Sequence, residues 1–514
     1  MNDWTGGYVA DIEYTSAFYS EQTPALLDLA CVINGIEPPA AAGRSFRYCE
    51  LGAGQGFGAN VMAVLNPGSD FLAVDFNPAH AMRGRALAEK AGIGNIRFLE
   101  SDFAELLDTC AGEAPYDYIT LHGVWSWVSP EMRAAIVAFL RRHLAPGGLV
   151  YVSYNALPGW SEGMAVKRLL HDAAGLVRER SDHAVRRAAG MLERAREAGS
   201  PFLRDNKIAN TVLDLARTGN VSYLAHEYLN ASWEPFYHAD VAGTLAEAKL
   251  SYVGSARLVE NYPTLHLTEE QRALCDEIAV PSVRETMKDF FFDRRFRKDV
   301  YVRGARRLTP ARQDTLLRAI EIASLLPREM ANLRLDVGLG EANLDSATYD
   351  PILDALEQRP HSIGELSEMS RERGSSAKPN EIAGLLTGTG QVWPVAPDHG
   401  KASGEAARRF NRVQAEAIMS EDASRRTCIA APLIGVGISG TTIDLVAYNC
   451  ILAGNGTVDA IAQAVWQPIA ARGEQLMHDG APVEGETASL NILRERAQAV
   501  LDTALPMWRR LGAI

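Results

Sequence analysis

The sequence predicts an α/β protein whose first 165 residues form a doubly wound parallel sheet. Three observations support this prediction. Short apolar runs alternate with amphipathic helical patterns at steps of roughly 25 residues. The turn after the first apolar run is rich in glycine and reads GAGQG. A Pro-Gly-Gly segment closes the last helical pattern before the fifth apolar run.

Five strands and the helices between them follow from this alternation. The runs predicted as strands are FRYCELG (46–52), DFLAVDFN (70–77), NIRFLESDF (95–103), YDYITLHG (116–123) and LVYVSYN (149–155). The segments predicted as helices are FGANVMAVLN, AHAMRGRALAEKAG and EMRAAIVAFLRRHLAPGG. Strands that alternate with helices in this way are typical of βαβ units.

The pattern changes beyond residue 165, and two further regions are expected. Residues 166–300 combine a long, charge-rich helical connector with short strands, which indicates a mixed α/β middle domain. Residues 301–514 are mainly helical, and residues 346–397 have a winged-helix-like pattern that ends in GQVWPVAP. The predicted reading helix of that module has almost no positive charge, so we expect it to recognise protein or form a dimer rather than read DNA.

Composition narrows the classes of partner. Of the 514 residues, 47% are hydrophobic and 22% are charged, as in globular proteins. The net charge of -13 disfavours nucleic acid as a partner. The six cysteines do not have the spacing of a metal site. The same is true of His226, Glu227 and His238, which we expect to pack between domains. No metal site is therefore predicted. The opening residues do not resemble a signal peptide and no apolar run suits a membrane span, so a cytoplasmic location is expected.

The stretch CELGAGQGFGAN (49–60) contains the first functional motif. A dinucleotide-binding loop has its third glycine at the position of Phe57. Here the glycines are instead Gly52, Gly54 and Gly56, and they follow Glu50. This is the E-x-G-x-G-x-G arrangement of class I S-adenosylmethionine methyltransferases. Glycine admits a closely approaching ligand, and Glu50 can accept a charge-assisted hydrogen bond from the ligand ammonium group.

Residues at the ends of the next strands extend this predicted cofactor site. Asp75 ends the second strand and can accept hydrogen bonds from both ribose hydroxyls. Asp102 follows the third strand and can accept the adenine amino hydrogen, while Phe103 can lie against the ring. The neighbouring residues assigned to the same site are Ala53, Phe76, Asn77 and Ser101.

Four longer segments resemble one methyltransferase family. The segments are HGVWSWVS (122–129), YNALPGW (154–160), HEYLNASWEPFYHADVAGTLAEAKLSYVGSA (226–256) and FRKDVYVRGARRLT (296–309). They are similar to methyltransferases with a fused regulatory domain, which include the rickettsial protein-lysine methyltransferases that act on outer-membrane proteins. The resemblance implies a Rossmann-like class I domain and S-adenosylmethionine as the cofactor. It also implies that Tyr14, Tyr19 and Gln22 cover the methionine end and that His122, Gly123 and Val124 lie near the adenosine.

The resemblance further implies an acceptor site. It consists of Trp125, Ser126, Trp127, Tyr154 and Asn155, with the last two facing one cleft. A lysine amine attacks only when neutral, and its ordinary pKa is about 10.4. An aromatic slot and a nearby sulfonium both lower that pKa. A dedicated general base is therefore not required, although His122 is a candidate.

The predicted function is protein-lysine N-methylation, and two other functions fit the same motifs. One is a small-molecule methyltransferase whose extra domains form a lid or dimer interface. The other is a nucleic-acid-associated regulator that binds S-adenosylmethionine as a signal. For the leading function, the expected partner is a protein substrate, such as an envelope protein met before export. A homodimer is a possible assembly, and neither nucleic acid nor a membrane is expected as a partner.

Overall fold

The computed structural model describes residues 7–9, 11–12, 17–39, 44–219, 221–337, 340–375, 377–420, 427–478 and 481–514. The strands are β1 (Arg47–Leu51), β2 (Asp70–Asp75), β3 (Ile96–Glu100), β4 (Tyr116–Leu121), β5 (Leu144–Asn155), β6 (Leu250–Ser255), β7 (Phe296–Arg303), β8 (Glu321–Ser324), β9 (Arg334–Val337), β10 (Gly340–Asn343), β11 (His361–Ser362), β12 (Val392–Pro394), β13 (Thr427–Ala431), β14 (Val436–Gly440), β15 (Met477–His478) and β16 (Ala481–Pro482). The helices are α1 (Pro24–Ile33), α2 (Phe57–Leu65), α3 (Pro78–Ala91), α4 (Phe103–Thr109), α5 (Pro130–His143), α6 (Ser161–Ala174), α7 (Ser181–Glu197), α8 (Pro201–Arg204), α9 (Lys207–Arg217), α10 (Val221–Leu229), α11 (His238–Ala246), α12 (Glu269–Glu277), α13 (Pro281–Phe292), α14 (Pro310–Ala319), α15 (Ser346–Gln358), α16 (Ile363–Glu372), α17 (Pro379–Glu381), α18 (Gly404–Ser420), α19 (Thr442–Leu452), α20 (Val458–Ala471), α21 (Glu486–Ala499) and α22 (Leu505–Arg510).

Seven strands form the main sheet in the order β3-β2-β1-β4-β5-β7-β6. The first five strands are parallel to one another, and β7 is antiparallel to its neighbours β5 and β6. The direction of winding reverses between β1 and β4, so a crevice forms outside the carboxyl ends of these two strands. The doubly wound α/β fold predicted from the sequence is confirmed.

Two strands of this sheet come from beyond residue 165. β7 pairs with β5 through partners such as Tyr301 with Val150 and Val300 with Tyr151, and β6 then pairs with β7. The sheet thus includes β6 from the predicted middle domain and β7, which crosses the predicted boundary between the middle and C-terminal domains at residue 300. Pairing between segments so far apart in the chain leaves no local pattern from which it could be predicted.

Both faces of the sheet are buried. On β1, Tyr48 packs into the hydrophobic cluster on one face and Cys49 into the cluster on the other. On β5, Tyr151 and Val150 divide in the same way. None of these four side chains is exposed to solvent. Successive strand residues point to opposite faces, so helices cover this sheet on both sides, as is usual for parallel sheets.

A group of helices covers the carboxyl edge of the sheet. The predicted helical connector begins with two helices, α6 and α7. They share a buried core with α9 and α10 that includes Leu170, Val185, Val212 and Leu224. This packing holds α9 and α10 against the ends of the strands, where their inner faces line a cavity.

The C-terminal region contains the small module predicted as winged-helix-like and then a mainly helical segment. In the module, α15, α16 and α17 accompany a three-stranded antiparallel sheet in the order β11-β8-β12. The helical segment contacts the first domain directly, because Arg409 Nε on α18 donates a hydrogen bond of 2.6 Å to the Ala91 carbonyl oxygen at the end of α3. Within the described ranges, none of the helices is both long and apolar enough to span a membrane.

Candidate active site

A cavity of about 520 Å³ lies between the carboxyl ends of the parallel strands and helices α9 and α10. The predicted site residues that line it are Tyr19, Gln22, Glu50, Gly52, Ala53, Gly54, Asp75, Phe76, Phe103, His122, Gly123, Val124, Trp127 and Asn155. The predicted site residues that are described but do not line it are Gly56, Asn77, Ser101, Asp102, Trp125, Ser126 and Tyr154. Tyr14 lies outside the described residues. A cavity of this volume at the switch point of an open α/β sheet has the size and location of a cofactor site.

The glycine loop between β1 and α2 bends tightly and forms one wall of the cavity. All three glycines have left-handed backbone angles, with φ of 72° at Gly52, 55° at Gly54 and 69° at Gly56. A Cβ on Gly56 would lie 2.2 Å from the Phe98 ring, so this glycine shapes the turn from behind. A Cβ on Gly54 would meet nothing within 4 Å because this residue faces the cavity. The loop therefore leaves room for a ligand at Gly54.

Asp75 connects this loop to the end of β2. Its Oδ2 accepts a hydrogen bond of 2.7 Å from the Gly54 amide, and its Oδ1 accepts one of 2.9 Å from the Asn77 amide. Oδ1 also lies 3.1 Å from His80 Nδ1. These contacts fix the position of the carboxylate. Asp75 is 8% exposed and lines the cavity, and a carboxylate can accept further hydrogen bonds, so a ligand in the cavity can donate to it.

Glu50 is a buried carboxyl group at the end of β1. Burial and, to a smaller extent, the Asp75 charge raise its pKa to about 8, although a hydrogen bond from the Gln22 side chain acts to lower it. Within the part of the chain that the structure describes, Glu50 Oε2 has no hydrogen-bond partner. A buried acceptor without a partner is costly. A cationic ligand group in the cavity would supply that partner, which agrees with the predicted contact to an ammonium group.

His122 is held as a neutral ring at the end of β4. Its ring stacks on Tyr19 with 3.6 Å between centroids, and its Nδ1 lies 2.8 Å from the Tyr151 hydroxyl. Burial, with the nearby Lys298 charge, lowers its pKa to about 3. A group with so low a pKa is a weak base at neutral pH. The stack instead provides a flat aromatic wall for the cavity.

Asp102 and Asn77 begin helices. Asp102 Oδ1 accepts hydrogen bonds of 2.8 Å from the amides of Ala104 and Glu105 at the start of α4. Asn77 Oδ1 accepts one of 3.0 Å from the Ala79 amide at the start of α3. These are N-cap contacts. The contact predicted between Asp102 and the adenine amino group remains a prediction, while the next residue, Phe103, lines the cavity.

Only two of the five predicted acceptor-site residues line the cavity, namely Trp127 and Asn155. Ser126 is fully buried and supports the site from behind, since its Oγ accepts a hydrogen bond of 2.9 Å from the Asn155 amide. Trp125 is 1% exposed and packs in the hydrophobic cluster on one face of the sheet. Of the two tryptophans, Trp127 and not Trp125 therefore lines the cavity.

The expectation that Tyr154 and Asn155 face one cleft is wrong. The two residues are neighbours on β5, so their side chains point to opposite faces of the sheet. Asn155 reaches the cavity, whereas the Tyr154 hydroxyl donates a hydrogen bond of 2.7 Å to Asp299 Oδ2 within the core. Tyr154 has no exposed surface and does not line the cavity.

Sixteen cavity residues were not predicted from the sequence, and six of them come from helices α9 and α10. The six are Ile208, Thr211, Leu215, Tyr223, Glu227 and Tyr228, and the others include Tyr8, Trp160 and Arg295. Glu227 belongs to the segment that the sequence analysis interprets as domain packing, and it is only 6% exposed. A signal for it was present, because this carboxylate lies in a helix that also contains apolar residues such as Leu224, Ala225 and Leu229. Buried charges of this kind are rare unless they are paired or functional.

The comparisons with known proteins agree with this geometry. Residues 49–150 match the family described as a methyltransferase domain, and residues 220–303 match the family described as a predicted methyltransferase regulatory domain. The protein sll1526 of Synechocystis is 32% identical over 512 residues, which cover 99% of this chain and 99% of the relative. The chain belongs to this family of S-adenosylmethionine-dependent methyltransferases with a fused regulatory domain. A second relative of this methyltransferase, the protein RP789 of Rickettsia prowazekii, is 25% identical over 296 residues, or 56% of this chain and 51% of the relative.

Solved structures share the fold of the methyltransferase over nearly its whole length. The structure of PKMT2 from Rickettsia typhi in complex with AdoHcy has a TM-score of 0.67 and 18% sequence identity, and the match covers 95% of this chain and 98% of that one. A second structure of PKMT2 has a TM-score of 0.65 over 97% of this chain and 99% of that one, also at 18% identity. The arrangement of sheet, helical cover and C-terminal region is therefore common to both proteins.

The residues of this methyltransferase fit its cofactor. The buried oxygen of Glu50 that has no partner among the described residues suits the ammonium group. The open space beside Gly54 admits the methionine end. The Asp75 carboxylate lines the cavity and can accept hydrogen bonds from a ribose. Bound S-adenosylmethionine supplies a methyl group that its sulfonium makes electrophilic. The contribution of the chain is to fix the position of this group and to exclude water from it.

Gly54 offers a direct test of the cofactor wall. We expect Gly54→Ala to lower the free energy of unfolding by about 1–2 kcal/mol because alanine is strained at left-handed angles. We also expect weaker binding of S-adenosylhomocysteine, since the added methyl group projects into the cavity. Calorimetric titration and urea unfolding measure the two effects.

Gly304→Ala is the matched control. Gly304 has φ of 73° and a Cβ there would meet nothing within 4 Å, but this residue does not line the cavity. This variant should lose a similar amount of stability while it binds S-adenosylhomocysteine as tightly as the wild type. Equal binding by both variants would mean that Gly54 does not face the ligand.

Proposed function

We propose that this methyltransferase transfers methyl groups to lysine ε-amines of a protein substrate. The observation that supports the proposal is the character of the cavity beyond the cofactor residues. Trp127, Trp160 and Tyr228 line the cavity together with Glu227, and none of the four is assigned to the cofactor. Aromatic rings suit the aliphatic stem of lysine and a cationic product, and a carboxylate suits an ammonium group.

The cover over the cavity is consistent with a side chain presented by a larger molecule. Residues Ile208, Thr211 and Leu215 lie on one face of α9 and line the same cavity as the strand ends. A lysine inserted along this wall would be stripped of water, and desolvation lowers the pKa of an amine. The resemblance of the sequence motifs to protein-lysine methyltransferases supports the same class of acceptor.

The partners of this reaction are part of the proposal. A protein substrate is proposed, and an envelope protein met before export is one candidate. The net charge of -13 suits a lysine-bearing target and disfavours nucleic acid. A homodimer is a further proposal, with the C-terminal module as the contacting region.

The experiment adds S-adenosylmethionine labelled on its methyl group to purified protein and host cell lysate. Protein, nucleic-acid and small-molecule fractions are then counted separately. We expect the label on protein, released as methylated lysine after hydrolysis. Label confined to small molecules would instead identify a small-molecule methyltransferase. The absence of label, together with cofactor binding that weakens steeply with salt in the presence of nucleic acid, would favour a regulator.

Trp127→Leu adds a test of the acceptor site within the same assay. Loss of a cation–π contact worth about 1–2 kcal/mol should lower the rate of protein labelling roughly tenfold. Binding of S-adenosylhomocysteine should change little, because leucine still fills part of the space. An unchanged labelling rate would place the acceptor elsewhere.

A further inference from the structure

Glu227 is a buried carboxyl group that the cofactor site does not use. It lies on α10, is 6% exposed and lines the cavity. Its Oε1 lies 3.5 Å from Asn155 Nδ2, a long distance for a hydrogen bond, and the Trp233 side chain also interacts with the carboxylate. The position of Asn155 is fixed by the hydrogen bond that its backbone amide donates to Ser126 Oγ. The Glu227 carboxylate therefore lies beside Asn155, and both residues line the cavity.

The charge of Glu227 is not neutralised by the protein around it. Among the described residues, no basic side chain lies within 4.0 Å of its carboxylate. The titratable groups that face it are the hydroxyls of Tyr8 and Tyr228, with Asp75 and Arg295 farther along the cavity wall. An isolated buried carboxylate is costly, and an ammonium group in the cavity would compensate that cost.

We propose that Glu227 binds the ammonium group of the methyl acceptor and accepts its proton before methyl transfer. The inference rests on the proposed function, since it requires an amine acceptor. One N–H bond of the ammonium breaks, its electron pair stays on nitrogen, and the proton moves to a Glu227 carboxylate oxygen. The neutral amine then forms a bond to the methyl carbon as the C–S bond breaks with its electron pair remaining on sulfur. Glu227 returns the proton to solvent when the product leaves.

The electrostatics of the site agree with this role. Burial raises the pKa of Glu227 to about 7, although the interactions with Asn155 and Trp233 act to lower it. A base is most effective when its pKa lies near the working pH. His122 is a poorer candidate, because its pKa of about 3 and its stacking on Tyr19 keep it neutral and fixed.

The test uses n-butylamine as a mimic of the lysine side chain and the full chain saturated with S-adenosylhomocysteine. Calorimetry measures its affinity at pH 6 and pH 8, where the free amine stays protonated because its pKa resembles that of lysine, about 10.4. Because Glu227 ionises around pH 7, the wild type should bind roughly tenfold more tightly at pH 8. E227Q should bind more weakly and show no gain with pH.

Glu234→Gln is the control, because Glu234 is a more exposed glutamate that pairs with Arg133 and does not line the cavity. It should behave as the wild type. Binding of S-adenosylhomocysteine reports whether each variant is folded. If E227Q does not bind S-adenosylhomocysteine, E227D is measured in its place. E227D retains a carboxylate, so it should still bind n-butylamine more tightly at pH 8 than at pH 6.

Three results would overturn the inference: a tenfold gain with pH in folded E227Q, a folded E227D without that gain, or no binding of n-butylamine to the wild type. The outcome for the proposed function is separate. If no protein lysine is labelled in the lysate but n-butylamine binds as expected, the proposed protein substrate is rejected. Glu227 would still be the residue that binds the amine.

Discussion

Asp299→Ala is expected to lower the free energy of unfolding by about 3–5 kcal/mol. It removes one of the two buried carboxylates that pair with Arg297, the other being Asp289, and it leaves the Tyr154 hydroxyl and the His238 ring without this acceptor. Asp299 is 1% exposed and Arg297 is 3% exposed. The two residues stand two apart on β7 and therefore share a face, and Arg297 Nε lies 3.0 Å from Asp299 Oδ1. Tyr154 and His238 also contact the Asp299 carboxylate, at 2.7 Å and 3.0 Å.

The pH dependence of this stabilisation follows from the same contacts. Burial acts to raise the pKa of Asp299, but the Arg297 charge and the bonds from His238 and Tyr154 outweigh it and lower the pKa to about 2. A carboxyl with a lowered pKa stabilises the fold above its unfolded value, about 3.9, and loses this effect as the pH falls through the folded value. The difference between wild type and Asp299→Ala should therefore be constant near neutral pH and shrink between about pH 4 and pH 2.

Urea unfolding followed by tryptophan fluorescence measures the effect, with Asp172→Ala as the control. Asp172 forms an ion pair with Arg168 one turn away on α6, and both side chains are more than half exposed. Exposed pairs of this kind contribute little, so the control should unfold almost as the wild type does. A similar midpoint for Asp299→Ala would show that the buried network does not stabilise the sheet.

The parts of the fold that were predicted correctly are those with a local pattern. The glycine turn after Glu50 and the alternation of strands with helices identified β1 to β5 and one part of the cavity wall, which includes Gly52, Gly54 and Asp75. Each pattern arises because one short segment must satisfy one requirement, such as left-handed backbone angles at Gly52, Gly54 and Gly56. The position of Asp75 was predictable for the same reason, since it ends a strand.

The parts that were missed depend on contacts between distant segments. β6 and β7 join the sheet only through pairing with β5, and Glu227 reaches the cavity because α10 packs against the strand ends. The error at Tyr154 differs, because the alternation of side chains along β5 already separates it from Asn155. The geometry of the strand therefore decides the orientation of Tyr154, against the position that the family resemblance implies.

Asp75→Ala is expected to weaken binding of S-adenosylhomocysteine by about 2 kcal/mol or more, which is roughly thirtyfold. The predicted hydrogen bonds from the ribose hydroxyls to a carboxylate are charge-assisted, and alanine removes both. The variant also loses the 2.7 Å bond from the Gly54 amide to Oδ2, so the glycine loop is held less firmly.

Calorimetry on the purified chain measures this loss, and Asp70→Ala is the matched control, because Asp70 begins the same strand and is exposed at its other end. Asp70→Ala should bind S-adenosylhomocysteine as the wild type does. The thermal midpoint of each variant separates a loss of binding from a loss of folding. The loss of two charge-assisted hydrogen bonds should weaken binding by more than threefold. Binding by Asp75→Ala within threefold of the wild type would therefore mean that the ribose lies elsewhere in the cavity.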